Sequence, residues 1–167
     1  MKSLLAAVAL FAVSAAPVLA APLKDPLGRV VLVVSGHIDN TNRGHFAAFD
    51  LPMLQSLAGR HALMETPWTN GLTSFEGPLL SAILDAVGAH GHRIVVKTLD
   101  DKTIEVPMSD ATNFPTMLAL KLNGDFMSVR DKGPLFLIYP FDTHRELYNE
   151  KYFARSVWQI GEIEVVD

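Results

Sequence analysis

The sequence predicts an α+β domain, with many short strands and few helices, on three observations. Short runs rich in valine and isoleucine recur along the chain, each bounded by glycine, proline, asparagine or aspartate. One stretch, residues 78–87, spaces Leu79, Leu80, Ile83, Leu84 and Val87 as one face of a helix does. Asn123-Gly124 stands between two apolar runs, the mark of a tight hairpin.

In chain order, residues 27–35 carry Val30, Val31, Val33 and Val34 and read as a buried strand. Residues 36–49 are polar and glycine-punctuated, a loop. Asp50 is placed to cap a short helix through Leu57, which ends at Gly59. Residues 62–66 form a short strand leading into the turn Pro67-Trp68-Thr69-Asn70-Gly71. The helix over 78–87 has Pro78 at its start and Gly88 just past its end. Strands over 94–98 and 103–106 flank an acidic turn at Asp100-Asp101. Residues 117–122 and 126–129 make the hairpin around Asn123-Gly124, 135–139 is a further apolar strand, and 159–166 closes the chain.

Ahead of these elements the sequence reads as an export signal. Lys2 is its positive end, residues 4–13 are its apolar run, and Val18-Leu19-Ala20 is a small-x-small cleavage site before Ala21. The run is shorter than the roughly 20 residues that cross a bilayer as a helix. The expectation is a signal peptide over 1–20 and one domain over 21–167, working in the periplasm or secreted. Cleavage after Ala20 leaves 147 of the 167 residues, enough for one cored domain, and loss of Lys2 moves the net charge from −4 to −5. A mildly acidic chain without a basic run argues against nucleic acid as a partner. With no cysteine, the fold rests on its core and offers no thiolate for metal or redox chemistry.

Residue types for catalysis are sparse. No serine sits in a G-x-S-x-G elbow. The histidines are scattered except for His90-Gly91-His92, a pair of imidazoles able to bind a metal. A metal site needs a full set of ligands and no third one is near in sequence, so the pair reads as a solvated loop. His37, His45 and His144 are free to approach one another in space, and nothing in the sequence places them.

Three segments offer a better site. In the first, Thr66, Trp68 and Asn70 occupy a turn and Phe75-Glu76 follow it. Trp68 is either a platform for a flat ring or a plug at the end of the sheet. Glu76 either favours the positive end of the helix at Pro78 or accepts the paired N–H donors of a pterin- or guanine-like ring. In the second, Arg130 and Lys132 stand on a glycine-proline turn, facing either a carbonyl-rich ligand or water. In the third, Tyr139-Pro140-Phe141-Asp142 ends a strand, where loops carry function but aromatic residues also pack. Arg155 and Trp158 form either a cation–π pair or ordinary packing.

Taken in order, these segments resemble the sulfite-oxidase-type molybdopterin-binding domain. Phe75-Glu76-Gly77-Pro78-Leu79-Leu80 through Val87-Gly88-Ala89 is similar to its "G-x-x-L" helix. Ile104-Glu105-Val106-Pro107 looks like a family strand, and Leu118-Ala119 through Asn123-Gly124 like its "L-A … N-G" hairpin. Lys132-Gly133-Pro134-Leu135 with Tyr139-Pro140 resembles its "G-P-L … P" strand, and residues 158–165 its closing "W … I-E-V". The resemblance implies an α+β fold of mixed β-sheets with a few short helices. It also exposes two departures. The family's enzymes hold molybdenum through a cysteine before the "G-x-x-L" helix, where this chain has Leu63-Met64-Glu65-Thr66-Pro67-Trp68. Their arginine after "G-P-L" is replaced by Phe136.

What remains resembles the small periplasmic pterin-binding proteins that reuse the fold without the metal. That resemblance implies a non-enzymatic protein that binds a reduced pterin without molybdenum. Its expected partner is the periplasmic region of an inner-membrane protein of the GGDEF/EAL type, which makes and breaks cyclic-di-GMP. Trp68 would stack on the pterin, Glu76 or Asp142 would accept its ring N–H groups, and Arg130 or Lys132 would meet its carbonyl side. Thr66, Asn70, Phe75 and Tyr139 complete the expected ligand-binding set. The alternatives are a degenerate molybdopterin-dependent oxidoreductase subunit and an interaction module whose pocket has closed.

Overall fold

Alternation along residues 30–36 turns Leu32 and Val34 fully inward and leaves Val31 and Val33 half-buried. That run is strand β1 (Val30–Gly36), about which the larger sheet is built. The computed structural model describes residues 22–167, and the leader expected over 1–20 lies outside the described residues. Antiparallel to β1 runs β2 (Ala47–Asp50), on one side, and on the other the last strand returns parallel to it, β11 (Ile160–Val166). Beyond β11 the antiparallel strands β5 (Arg93–Thr98) and β6 (Thr103–Pro107) complete five strands in the order β2-β1-β11-β5-β6. The register places Val34 beside Ile163 and Ile163 beside Val96, so three inward positions stack across the sheet.

The smaller sheet is antiparallel, in the order β3 (Gly59–Met64), β4 (Thr73–Pro78), β8 (Lys121–Leu122) and β9 (Asp125–Phe126). Beside it β7 (Met117–Ala119) pairs with β10 (Phe136–Ile138). The short helices are α1 (Leu51–Ser56), α2 (Leu80–Ala86), α3 (Ser109–Thr112) and α4 (Glu150–Arg155). Leu80, Ile83 and Leu84 of α2 pack with Leu32, Val34, Ile94 and Ile163 in one core. A second core, rich in aromatic rings, gathers Phe75, Met117, Phe136, Tyr139 and Phe141 under the smaller sheet.

Several expectations shift in detail. The polar stretch 36–49 ends in β2, whose Ala47, Ala48 and Phe49 are all buried. β4 continues through Pro78, so α2 begins at Leu80 and Glu76 lies in a strand rather than before a helix. The Asn123-Gly124 hairpin is only β8–β9, because residues 117–119 pair with β10 instead. Helices α3 and α4, of four and six residues, are too short and polar to show a periodic pattern.

Asp50 has the capping role expected of it. Its Oδ1 accepts from Met53 N at 3.0 Å, and its Oδ2 from Leu27 N at 2.9 Å and Gly28 N at 2.8 Å. These backbone donors, Met53 N foremost, hold its carboxyl below the ordinary 3.8. A carboxyl lowered in the folded state adds stability above its unfolded pKa and loses it as pH falls through the folded value. Thermal melts from pH 6 down to pH 2 should therefore show Asp50→Asn less sensitive to acid than the parent below about pH 4, the unfolded carboxyl range. Parallel acid limbs would remove Asp50 from that role.

Candidate ligand-binding cleft

β3 leaves the sheet at Met64, and the chain then turns through residues 65–72 before β4. Facing that turn is the segment after β10, from Phe141 and Asp142 through a 3₁₀ turn at Arg145–Leu147 to Tyr148. Between them lies an open cleft of about 650 Å³, lined by Leu63, Glu65, Leu72, Asp142, Arg145 and Tyr148 among others. Leu63 points outward because it alternates with buried Ala62 and Met64 along β3. It is 54 % exposed, Leu72 64 % and Tyr148 48 %, which makes an apolar rim unusual for single surface residues. The Tyr148 ring is held edge-on by Phe153 at 4.8 Å and by Phe141 at 5.5 Å between centroids.

The polar centre of the cleft is Asp142. Arg60 of β3 donates from Nη2 to its Oδ2 at 2.6 Å, with both side chains about four-fifths buried. Asp142 Oδ1 is buried and finds no hydrogen-bond donor among the described residues. An acceptor left so costs about 1–3 kcal/mol, which a ligand N–H would recover. Arg145 adds a cation on the same wall. The cleft thus combines an apolar rim carrying one exposed aromatic ring, a buried carboxylate oxygen without a donor among the described residues, and a guanidinium.

The residues expected from sequence do not assemble there as one set. Asp142 alone lines this cleft. Phe75 and Tyr139 are corrected to core residues: both are 0 % exposed, and Tyr139 donates its hydroxyl to Asp110 at 2.7 Å. Glu76 on β4 is ion-paired to Lys121 at 2.8 Å and lines a different, smaller cleft of about 280 Å³. Thr66 is buried in the turn, sharing its hydroxyl with Thr69 at 2.8 Å, and Asn70 is exposed at the tip. Trp68 is half-buried and wedged edge-on against Phe136, Phe153 and Trp158, with centroids 5.7 to 6.2 Å away. It sits behind Phe141, a wall residue of the cleft, at 6.4 Å. Arg130 is exposed in a 3₁₀ turn, Val129–Asp131, and Lys132 places its ammonium 5.8 Å over the Trp158 ring. Trp158 therefore takes Lys132 as its cation, while Arg155 goes to Tyr152 and Asp110. Sequence reasoning missed Arg60, Arg145 and Tyr148. The only available signal was a charged residue inside an apolar strand, for Arg60, and an aromatic in a polar run, for Tyr148.

No family model and no curated protein matches the chain. Among solved structures, the sulfane dehydrogenase SoxCD from Paracoccus pantotrophus matches with a TM-score of 0.59 at 17 % identity, over 81 % of this chain and 38 % of that one. The likeness shows the fold. The α+β, sulfite-oxidase-type architecture of mixed sheets with few short helices is thus the architecture present, while this chain spans well under half of its neighbour's length.

The resemblance read in the sequence implies a molybdenum centre held through cysteine, and the residues at that place offer no thiolate. The chain has no cysteine, and the stretch in its place offers buried Met64, exposed Glu65 and a Thr66 already engaged in its turn. Phe136, where the family has an arginine, is packed in the aromatic core.

Proposed function

We propose that this chain is a ligand-binding protein, not an enzyme, and that it takes a reduced pterin in the cleft between β3 and the segment 141–148. The observation that carries the reading is the half-satisfied carboxylate of Asp142. Its Oδ2 is neutralised by Arg60, and its Oδ1 is buried without a donor among the described residues, an acceptor that a ring N–H or amino N–H would engage once a small shift of the cleft wall uncovers it. Tyr148 supplies a ring of which about half remains exposed, and Arg145 faces a carbonyl. Stacking on one aromatic side chain contributes about 1–3 kcal/mol by analogy with nucleobases. A charge-assisted hydrogen bond adds about 1.5–3 kcal/mol. Together with the apolar rim, these support micromolar affinity, about −8 kcal/mol.

The export signal and the resemblance support a periplasmic site of action, with the bound state reported to an inner-membrane cyclic-di-GMP enzyme. The exposed Leu63 and Leu72 at the mouth of the cleft would let ligand occupancy alter the surface such a partner meets. Isothermal titration with reduced and oxidised pterins tests the binding step. Saturable binding should weaken about tenfold or more in both Tyr148→Ala and Asp142→Asn, the size set by one stack or one charge-assisted bond. Absence of saturable binding by any pterin, or stoichiometric molybdenum in protein taken from its native compartment, would overturn the reading.

A further inference from the structure

The fold supplies what the pair His90-Gly91-His92 lacked in sequence, a third imidazole and a carboxylate. His37 follows β1 and His92 precedes β5, on either side of the end of β11. His37 N donates to Val165 O at 2.9 Å and His92 N to Val166 O at 2.9 Å, while His90 N donates to His37 O at 3.0 Å. His37 is thereby fixed on a backbone segment adjacent to that of His90 and His92, from which it is distant in sequence. Their side chains share one side: the His37 and His90 rings stack at 5.7 Å and 16°. Oδ1 of Asp167 lies 3.2 Å from His37 Nδ1 and 4.0 Å from His92 Nδ1.

We propose that His37, His92 and Asp167, with His90 as the fourth ligand, form a surface site for a borderline-soft divalent ion such as Zn²⁺ or Cu²⁺. Three neutral imidazoles and one carboxylate make an N₃O set, the kind such ions prefer and Mg²⁺ or Ca²⁺ do not. Asp167 Oδ1 already stands within 4.0 Å of two imidazole nitrogens, so an ion between them needs only small rotations there. His90 must turn further, from its stacked position and from Asp39, whose Oδ1 is 3.7 Å from its Nδ1. Among the described residues no three such donors have already converged on one point, and side-chain rotation is what the site requires. All four side chains are exposed, so rotation meets little packing beyond the His37–His90 stack. The charge balance favours a cation: Asp39 and Asp167 are both acidic, and the neighbouring Arg93 is engaged by Glu105 at 2.8 Å and by the Asp167 carbonyl at 2.9 Å. The site is remote from the pterin cleft in sequence, in sheet and in chemistry, and does not depend on it.

The test is titration of the untagged full chain with Zn²⁺ by calorimetry, and with Cu²⁺ by electron paramagnetic resonance. One ion should bind saturably, with nitrogen hyperfine structure from two or more imidazoles in the Cu²⁺ spectrum. His37→Ala and His92→Ala should each weaken binding about tenfold or more, at least as much as loss of a partner that merely orients a ligand does. His45→Ala and His144→Ala, at histidines outside the cluster, should leave it unchanged. No saturable binding, or binding that survives the double variant His37→Ala/His92→Ala, would overturn the site.

Discussion

Asp110→Ala should lower the melting temperature by about 10–20 °C, the shift expected for about 3–5 kcal/mol in a domain of this size. The carboxylate is only 7 % exposed and accepts from Tyr139 Oη at 2.7 Å and from Arg155 Nη1 at 2.7 Å. It ties α3 to the strand end after β10 and to α4, three segments that share little other polar contact. Without it, a fully buried hydroxyl and a largely buried guanidinium are both left unpaired, and each must be desolvated for nothing. Burial, then the hydrogen bond to Asp110 and its charge, push the Tyr139 phenol far above its usual range, so it stays a donor throughout the accessible pH range. Tyr139→Phe should cost less, about 1.5–3 kcal/mol for one bond to a charged acceptor, because Asp110 keeps Arg155. The double variant should fall short of the sum of the two, since both substitutions break one network. Equal losses in the two single variants would show instead that Arg155 contributes nothing through Asp110.

The contrast between Asp50 and Asp110 shows how far the sequence was readable. Asp50 acts within three residues, capping Met53, and its place before an apolar run announced it. Asp110 acts over separations of 29 and 45 residues, and no local pattern marks it. The same divide runs through the fold. β1, β5, β6 and β11 were legible because alternation and β-branching are local properties. The register that inserts β11 between β1 and β5 was not, since it depends on a pairing across more than a hundred residues. In the cleft, the sequence singles out Asp142 because a strand end marks it, but Arg60, which neutralises it, is 82 residues away. The histidine cluster repeats the lesson: the sequence showed the pair at 90 and 92, and only the sheet brings His37 to it.

Trp68 is where packing and recognition make opposite predictions, so Trp68→Ala separates them. Sequence alone allows the ring to be a platform or a plug. Its edge-on contacts with Phe136, Phe153 and Trp158, at 5.7 to 6.2 Å, are those of a plug. Removing it should open a cavity in the aromatic core and cost about 3 kcal/mol, the lower end for a large aromatic because one part of the ring is exposed. The ligand-free melting temperature should then fall by roughly 10 °C. On the proposed function, pterin affinity should fall only as far as Phe141, which Trp68 buttresses, loosens the wall of the cleft, and Trp68→Phe should restore much of both. A ligand-free melting temperature that stays unchanged, beside an affinity that collapses, would mean the ring faces the ligand and not the core. In that case the pterin would lie over Trp68 and Trp158, where the Lys132 ammonium already stands, and the 141–148 cleft would be its entrance.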